Sequence, residues 1–202
     1  CTVYQWLDQS GNGNTATAGS GAEPTIYTGG AIVKENAKVA MRFALGDRFT
    51  TGVEVNLRAF FHVGKATAAT RLRFIGSTTE WVRWWSATEL RLQNQATMSL
   101  TGVNRLDYNL VFAANDTTSQ LAINGGTATT ATTLETDSIP LNISLNDSSG
   151  WQGTMQEMLI YESDKSTDRT SIESNIGDYF TQNTPLLDTY SGAAAAYSLR
   201  LL

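Results

Sequence analysis

Side chains alternate with period two in Val53-Glu54-Val55-Asn56-Leu57-Arg58-Ala59-Phe60-Phe61-His62-Val63, where every odd position is apolar. This pattern predicts a β-strand with one buried face and one exposed face. It places Phe60 and His62 on the outward face. Three more short strands are predicted nearby, at residues 70–75, 80–86 and 89–93. Short strands at this spacing are typical of an antiparallel β-sandwich.

The strand pattern continues through the rest of the chain. Further strands are predicted at residues 106–113, 119–123, 140–145 and 154–161. Between them, Asn124-Gly125 predicts a tight turn, since Asn and Gly readily adopt positive φ. The polar stretches 8–21 and 127–138 are predicted to be loops.

One helix is predicted, at residues 166–180. Ile172 and Ile176 recur there at helical spacing. Thr170 with Glu173 fits a capping box, and a start one turn earlier, at Ser166 or Thr167, is the alternative. We expect the helix to lie against the edge of the sandwich. The predicted fold is therefore all-β, with two antiparallel sheets and one short C-terminal helix.

Composition excludes several classes of function. The 202 residues include 14 Lys and Arg and 19 Asp and Glu, which gives a net charge of −5. Duplex-binding domains are usually basic, so no nucleic-acid partner is expected. No apolar run reaches the roughly 18 residues that a membrane span needs. One Cys and one His make neither an internal disulfide nor an ordinary zinc site.

The charges are unevenly distributed along the chain. Residues 34–105 carry eleven of the fourteen basic residues and five acidic ones, whereas residues 106–199 carry two basic and twelve acidic residues. The asymmetry predicts two differently charged surfaces, which suit head-to-tail packing or an acidic ligand.

Two segments resemble laminin-G-like, concanavalin A-like modules. Trp151-Gln152-Gly153-Thr154-Met155-Gln156-Glu157-Met158-Leu159-Ile160-Tyr161, with the helix that follows, is similar to the closing motif of that family. Trp6-Leu7-Asp8-Gln9-Ser10-Gly11-Asn12-Gly13-Asn14 is similar to a loop near the start of such modules. The resemblance implies a jelly-roll sandwich over residues 1–184. Residues 185–202 are then expected to be a tail leading into a following module.

The resemblance also implies a role outside the cell. Such modules occur in virion appendages of tailed phages, in bacterial surface proteins and beside glycosidases. We therefore expect a non-catalytic structural or adhesive module of a tail fibre, receptor-binding, decoration or bacterial surface protein. Its expected partners are other subunits of an oligomeric assembly and host polysaccharide. The alternative is a carbohydrate-binding module for an acidic polysaccharide, attached to a larger enzyme.

Catalytic motifs are weak. Sandwich glycosidases carry Glu-x-Asp-x-x-Glu on one strand, and the nearest match, Glu135-Thr136-Asp137, has Pro140 where the second Glu belongs. His62 has no Gly-x-Ser-x-Gly elbow to accompany it and is expected to be an ordinary surface histidine. We predict no enzymatic activity, with a glycoside hydrolase as the less favoured alternative.

A calcium site is possible in the first loop. Asp8, Asn12 and Asn14 offer oxygen ligands, and related modules sometimes hold calcium. The competing interpretation is an Asx-type turn in which these side chains bind backbone N–H groups. The turn is favoured, and no other cofactor is expected.

The candidate ligand-binding or interface residues share one predicted face of the strands between residues 53 and 93. If Val55, Leu72 and Val82 point inward, the outward face collects basic and aromatic side chains. They are Arg58, Arg71, Arg73, Trp81, Arg83, Trp85 and Arg91. Arginine binds carboxylates and sulfates bidentately, and indole rings stack on sugars. A glycan platform, a subunit interface and a plain surface with Arg stacked on Trp all remain open.

Overall fold

The structure is a computed structural model that describes residues 1–67, 72–76, 81–94, 96–107, 109–115, 118–132, 139–144, 150–181 and 197–200. Its elements, in chain order, are β1 (Gln5–Trp6), β2 (Ala16–Ala18), β3 (Tyr27–Thr28), β4 (Ala31–Ile32), β5 (Lys34–Glu35), β6 (Lys38–Val39), β7 (Met41–Phe43), β8 (Phe49–Val55), β9 (Ala59–Ala66), β10 (Leu72–Gly76), β11 (Trp81–Ser86), β12 (Glu89–Asn94), β13 (Ala96–Thr101), β14 (Asn109–Asn115), β15 (Thr118–Ile123), β16 (Thr129–Thr132), β17 (Ile139–Ile143), β18 (Gly153–Tyr161), α1 (Arg169–Thr181) and β19 (Tyr197–Arg200).

Two antiparallel sheets form the sandwich, which confirms the predicted fold class. Sheet 1 has the strand order β1-β2-β8-β17-β10-β11-β12-β13. Sheet 2 has the order β16-β15-β14-β9-β18-β19, and β7 also pairs with β18. Two small hairpins, β3–β4 and β5–β6, stand apart from both sheets. No helix in the described part of the chain is long and apolar enough to cross a membrane.

The main core lies between the two sheets. Large side chains from both inner faces fill it, and they include Trp6, Phe49, Phe60, Phe74, Trp84 and Trp151. Aromatic contacts join them, such as Phe74 to Trp151 with ring centroids 4.6 Å apart. Burial of this much apolar surface is the main term that stabilises such a sandwich.

A second core lies on the outer face of sheet 2. Helix α1 places Ile172, Ile176 and Phe180 against Phe61 and Phe112 of that face. The prediction that the helix would lie against the sandwich edge is wrong. The helix covers the face of the sheet because that outer face is itself apolar and needs a cover.

Seven residues separate the end of β18 from the start of the helix. The amide of Ile172 donates to the carbonyl of Asp168 at 3.1 Å, so Asp168 is the N-cap. The predicted Thr170–Glu173 capping box is therefore not formed. Glu173 is instead paired with Arg169, one turn earlier, with 3.0 Å between Arg169 Nε and Glu173 Oε2.

Residues 53–63 belong to two strands in different sheets. β8 ends at Val55 in sheet 1, and β9 begins at Ala59 in sheet 2. The crossing at residues 56–58 resets the alternation, so Phe60 and His62 face the main core and the prediction that they point outward is wrong. Both faces of β9 are buried, since one packs on sheet 1 and the other on α1.

The Asn-Gly turn is confirmed. Asn124 and Gly125 have φ of 51° and 72°, and the amide of Gly126 donates to the carbonyl of Ile123 at 2.9 Å. These angles are those of a type I′ turn, which matches the twist of the flanking strands. The turn joins β15 to β16. Strand β16 lies within residues 127–138, which were predicted to be a loop.

The C-terminal strand β19 extends sheet 2. Tyr197–Arg200 pairs with β18, with Ile160 opposite Tyr197 and Glu157 opposite Arg200. Four residues of the predicted tail thus take part in the sandwich. The domain boundary at residue 184 stays a prediction.

Candidate functional site

Three arginines form a row across neighbouring strands of sheet 1. Arg73 of β10 lies opposite Arg83 of β11, and Arg83 lies opposite Arg91 of β12. The row ends at Ser99 of β13, opposite Arg91. Their strand neighbours point into the core on the other side, namely Leu72, Phe74, Val82, Trp84, Leu90 and Leu92. Alternation therefore places the arginine row on the outer face of sheet 1.

Trp85 lies among the arginines of this row. The guanidinium carbons of Arg83 and Arg91 lie 4.3 Å and 3.9 Å from the Trp85 ring centroid. Such cation–π contacts contribute about 0.5–1 kcal/mol each at exposed sites. Since arginines cover the indole, Trp85 serves first to hold them in place rather than to offer a free ring.

Glu89 compensates part of the positive charge. Its Oε1 accepts a hydrogen bond from Arg91 Nε at 2.7 Å, and this bond holds the pKa of Glu89 below its usual range. Like charges placed directly opposite each other on neighbouring strands are normally destabilising. The carboxylate and the indole together offset that repulsion.

The three arginines differ in access to solvent. Arg83 is only 5% exposed, whereas Arg73 and Arg91 are half-buried. A ligand approaching this face therefore meets Arg73 and Arg91 first. Guanidinium groups of this kind can bind a carboxylate or sulfate through two parallel hydrogen bonds.

The other residues of the predicted face are placed differently. Arg58 lies in the crossing between β8 and β9, where its amide donates to the carbonyl of Tyr161 at 2.9 Å, so it is not part of the row. The backbone of Trp81 pairs with Gly76 and Gln93 in sheet 1. Arg71 lies outside the described residues. The structure thus brings together Arg73, Arg83, Trp85 and Arg91.

The Asp8 loop has the hydrogen bonds of a turn. Asp8 Oδ1 accepts from the amide of Ser10 at 2.8 Å, and Asp8 Oδ2 accepts from the Ser10 hydroxyl and the amide of Asn14 at 2.8 and 2.9 Å. Asn12 Nδ2 donates to the Ser10 hydroxyl at 3.0 Å. Both carboxylate oxygens are directed at donors of the loop itself, as in an Asx turn. Calcium binding here stays a prediction.

His62 is a core residue rather than the predicted surface one. It is 1% exposed, between Phe74 at 4.6 Å and Trp151 at 5.3 Å in ring-centroid distance. Neither ring nitrogen has a hydrogen-bond partner among the described residues. Burial lowers the pKa of His62 to about 3, and the nearby backbone of Glu157 offsets this only in part. The imidazole is therefore neutral and closed to substrate.

The described residues contain no group of three His, Cys, Asp or Glu side chains that could hold a metal ion. The weak glycosidase motif at Glu135-Thr136-Asp137 lies outside the part of the chain that the structure describes.

Arg105 is a buried cation that no sequence pattern singled out. It follows β13 and is 3% exposed, with its amide bonded to the carbonyl of Ala87 at 3.1 Å. Its Nε and Nη1 have no hydrogen-bond partner within the described ranges, and burial lowers its pKa. Buried nitrogens left without a hydrogen-bond partner cost free energy, and these two lie on a residue whose backbone is bonded to the β11–β12 turn.

Comparisons with known proteins identify the fold. No family model and no curated protein matches the chain. Among solved structures, the CBM40 module of the Ruminococcus gnavus IT-sialidase bound to α2,3-sialyllactose is similar. Its TM-score is 0.54 at 13% identity, over 67% of this chain and 97% of that one. The same module bound to α2,6-sialyllactose gives a TM-score of 0.53, also at 13% identity, over 67% and 96%.

A further similar structure is a candidate carbohydrate-binding protein from Bacteroides ovatus. It has a TM-score of 0.57 at 11% identity, over 80% of this chain and 50% of that one. At these identities the likeness shows the fold alone. The chain has the all-β, jelly-roll-like architecture of these carbohydrate-binding proteins.

Proposed function

We propose that this chain is a non-catalytic carbohydrate-binding module that holds an acidic glycan on the outer face of sheet 1. The observation that carries the proposal is the in-register row of Arg73, Arg83 and Arg91, held in place by Trp85 and Glu89. Three guanidinium groups side by side on the outer face of sheet 1 can bind anionic groups through charge-assisted hydrogen bonds.

The spacing of the row suggests which groups it recognises. Neighbouring strands lie about 4.7–4.9 Å apart, so the backbones of Arg73 and Arg91, two strands apart, lie on the order of 10 Å from each other. Two carboxylate or sulfate groups at that separation on an extended glycan would each meet one arginine. Arg83, buried between them, supports the position of Trp85.

The similar structures support this proposal without settling the ligand. Two of them are structures of one carbohydrate-binding module, each with an acidic oligosaccharide, sialyllactose. This favours carbohydrate binding over the purely structural role expected from the sequence. We carry over no sugar identity and no binding residue from them.

The test is glycan-array binding by the purified chain and by an Arg73→Ala/Arg91→Ala variant. We expect wild-type binding to acidic glycans and at least about a hundredfold weaker binding by the variant, since it loses two bidentate contacts that cost about 1.5–3 kcal/mol each. An Arg42→Ala/Lys34→Ala protein is the matched control, because it loses the same charge from exposed sites away from sheet 1. If both variants lost glycan binding equally, net charge rather than the arginine row would determine binding.

Parallel arrays with calcium and with EDTA test the Asp8 loop. Calcium-dependent binding that Asp8→Asn abolishes would make Asp8, Asn12 and Asn14 a metal site. Binding unaffected by EDTA would leave the loop as an Asx turn.

A structural module of a virion appendage or bacterial surface protein is the second candidate. The observation that favours it is an exposed apolar pair, Tyr27 and Ile32, which lie opposite each other in the β3–β4 hairpin at 46% and 52% exposure. Exposed apolar patches mark protein interfaces. A blank array together with a stable oligomer in sedimentation velocity would move the assignment to this assembly role, outside the cell.

A further inference from the structure

A cavity of about 520 Å³ lies between α1 and the outer face of sheet 2. Val63 and Leu110 of the sheet contribute to its lining, with Ile176 and Phe180 of the helix. Asn124 and Gly125 of the turn after β15 also contribute to the lining. Cavities of roughly 300–1,000 Å³ with mostly apolar walls are the size of small-molecule sites. This one lies on the opposite side of the sandwich from the arginine row.

One acceptor atom in the cavity wall is buried with no hydrogen-bond partner among the residues that the structure describes. Glu173 is 8% exposed, and its Oε2 pairs with Arg169 Nε at 3.0 Å. Its Oε1 has no hydrogen-bond partner among the described residues. Arg169 is fixed in turn, since its Nη2 donates to the carbonyl of Gly126 at 2.6 Å. A buried acceptor left unpaired costs free energy, and a donor inside the cavity would remove that cost.

Gly177 keeps the cavity open. It lies in the middle of α1, and a methyl group added there would meet no atom within 4 Å. Alanine is the better helix former, so neither conformation nor packing requires glycine at this position. Thr170 and Ser174 line the cavity on the same side of the helix as Gly177, and both are exposed. The small side chains leave an entrance to the apolar interior.

We propose that this cavity binds a small, largely apolar molecule that carries a neutral hydrogen-bond donor, such as a hydroxyl group, which donates to Glu173 Oε1. The donor is neutral because Arg169 already balances the charge of Glu173, and a second cation would add an unpaired charge to an apolar site. Burial raises the pKa of Glu173, in keeping with a poorly solvated carboxyl group. The site goes beyond glycan binding and is independent of it.

The test is a titration of ¹⁵N-labelled chain, followed through the amide signals of Gly125 and Gly177. The probes are 4-propylphenol and propylbenzene, which share an apolar body and differ in the hydroxyl donor. We expect both amides to shift with 4-propylphenol and propylbenzene to bind at least fivefold more weakly. Equal affinities for the two probes would overturn the role given to Glu173.

A Gly177→Leu protein tests the location, since its side chain would occupy the cavity. We expect at least tenfold weaker binding of 4-propylphenol, at a melting temperature no lower than wild type. Ser171→Leu is the control, because Ser171 is exposed on the same helix and does not line the cavity. Undiminished binding by Gly177→Leu, or no binding of 4-propylphenol to the wild type, would overturn the proposal. Neither result bears on the arginine row.

Discussion

Acidification from pH 7 to pH 4.5 is expected to lower the free energy of unfolding by about 2–3 kcal/mol through His62 alone. The imidazole is buried among Phe60, Phe74 and Trp151, and its pKa in the folded protein is about 3. In the unfolded chain the value returns to the ordinary 6.5. At pH values between about 3 and 6.5, the unfolded state therefore binds a proton on His62 that the folded state does not.

The sign follows from where that proton binds. Above pH 6.5 both states carry a neutral His62, and its contribution to stability is complete. As the pH falls below 6.5, only the unfolded state gains the proton, so stability declines by about 1.4 kcal/mol for each pH unit until the folded value near 3 is reached.

Urea denaturation at pH 7, 6, 5 and 4.5 measures this effect. His62→Phe and His62→Gln should both show a shallower decline than wild type, by about 2–3 kcal/mol over the range. The comparison of slopes cancels the carboxyl groups, which are common to all three proteins. If the free energy of unfolding declined with falling pH as steeply in both variants as in wild type, His62 would not control acid stability.

Strand alternation predicted the arginine row because only one face of β10–β12 packs on the core. Leu72, Val82 and Leu90 are inside, and the arginines between them are outside, as period two requires. Sequence therefore places Arg73, Arg83 and Arg91 on one face. The contact of two arginines with Trp85 depends on rotamers, which no pattern supplies.

The same reasoning failed in β9 because both faces of that strand are buried. Phe60 and Phe61 point to different cores, so alternation of polar and apolar residues carries no information there. The crossing at residues 56–58 also leaves no turn signal such as Gly or Pro. His62 was assigned to the surface for these two reasons.

Other features could not be predicted from local pattern. The short strands β2 and β16 are rich in Ala and Thr, which sequence reasoning assigned to loops. The cavity under α1 joins residues from β9, β14 and the helix, far apart along the chain. Arg105 owes its burial to tertiary packing alone.

Gly64→Ala is expected to destabilise the chain by about 3 kcal/mol or more. A Cβ atom at this buried position of β9 would lie 2.3 Å from the carbonyl oxygen of Thr154 and 2.8 Å from His62 Nε2. The first neighbour is backbone of β18, which cannot rotate away as a side chain can. β9 and β18 are central strands of sheet 2, and their pairing shifts register between Met155 and Glu157. The methyl group would therefore force these two strands apart.

Thermal and urea unfolding of Gly64→Ala against wild type measure the loss, and Gly177→Ala is the matched control. The same substitution in α1 meets open space, so it should raise stability by up to about 1 kcal/mol through helix propensity. If Gly→Ala lowers stability at Gly64 and raises it at Gly177, the cost at Gly64 comes from the close approach of the β18 backbone and not from the loss of glycine as such. A Gly64→Ala protein as stable as wild type would mean that β18 can withdraw from β9 freely. The tight packing around His62, on which its low pKa depends, would then be in doubt as well.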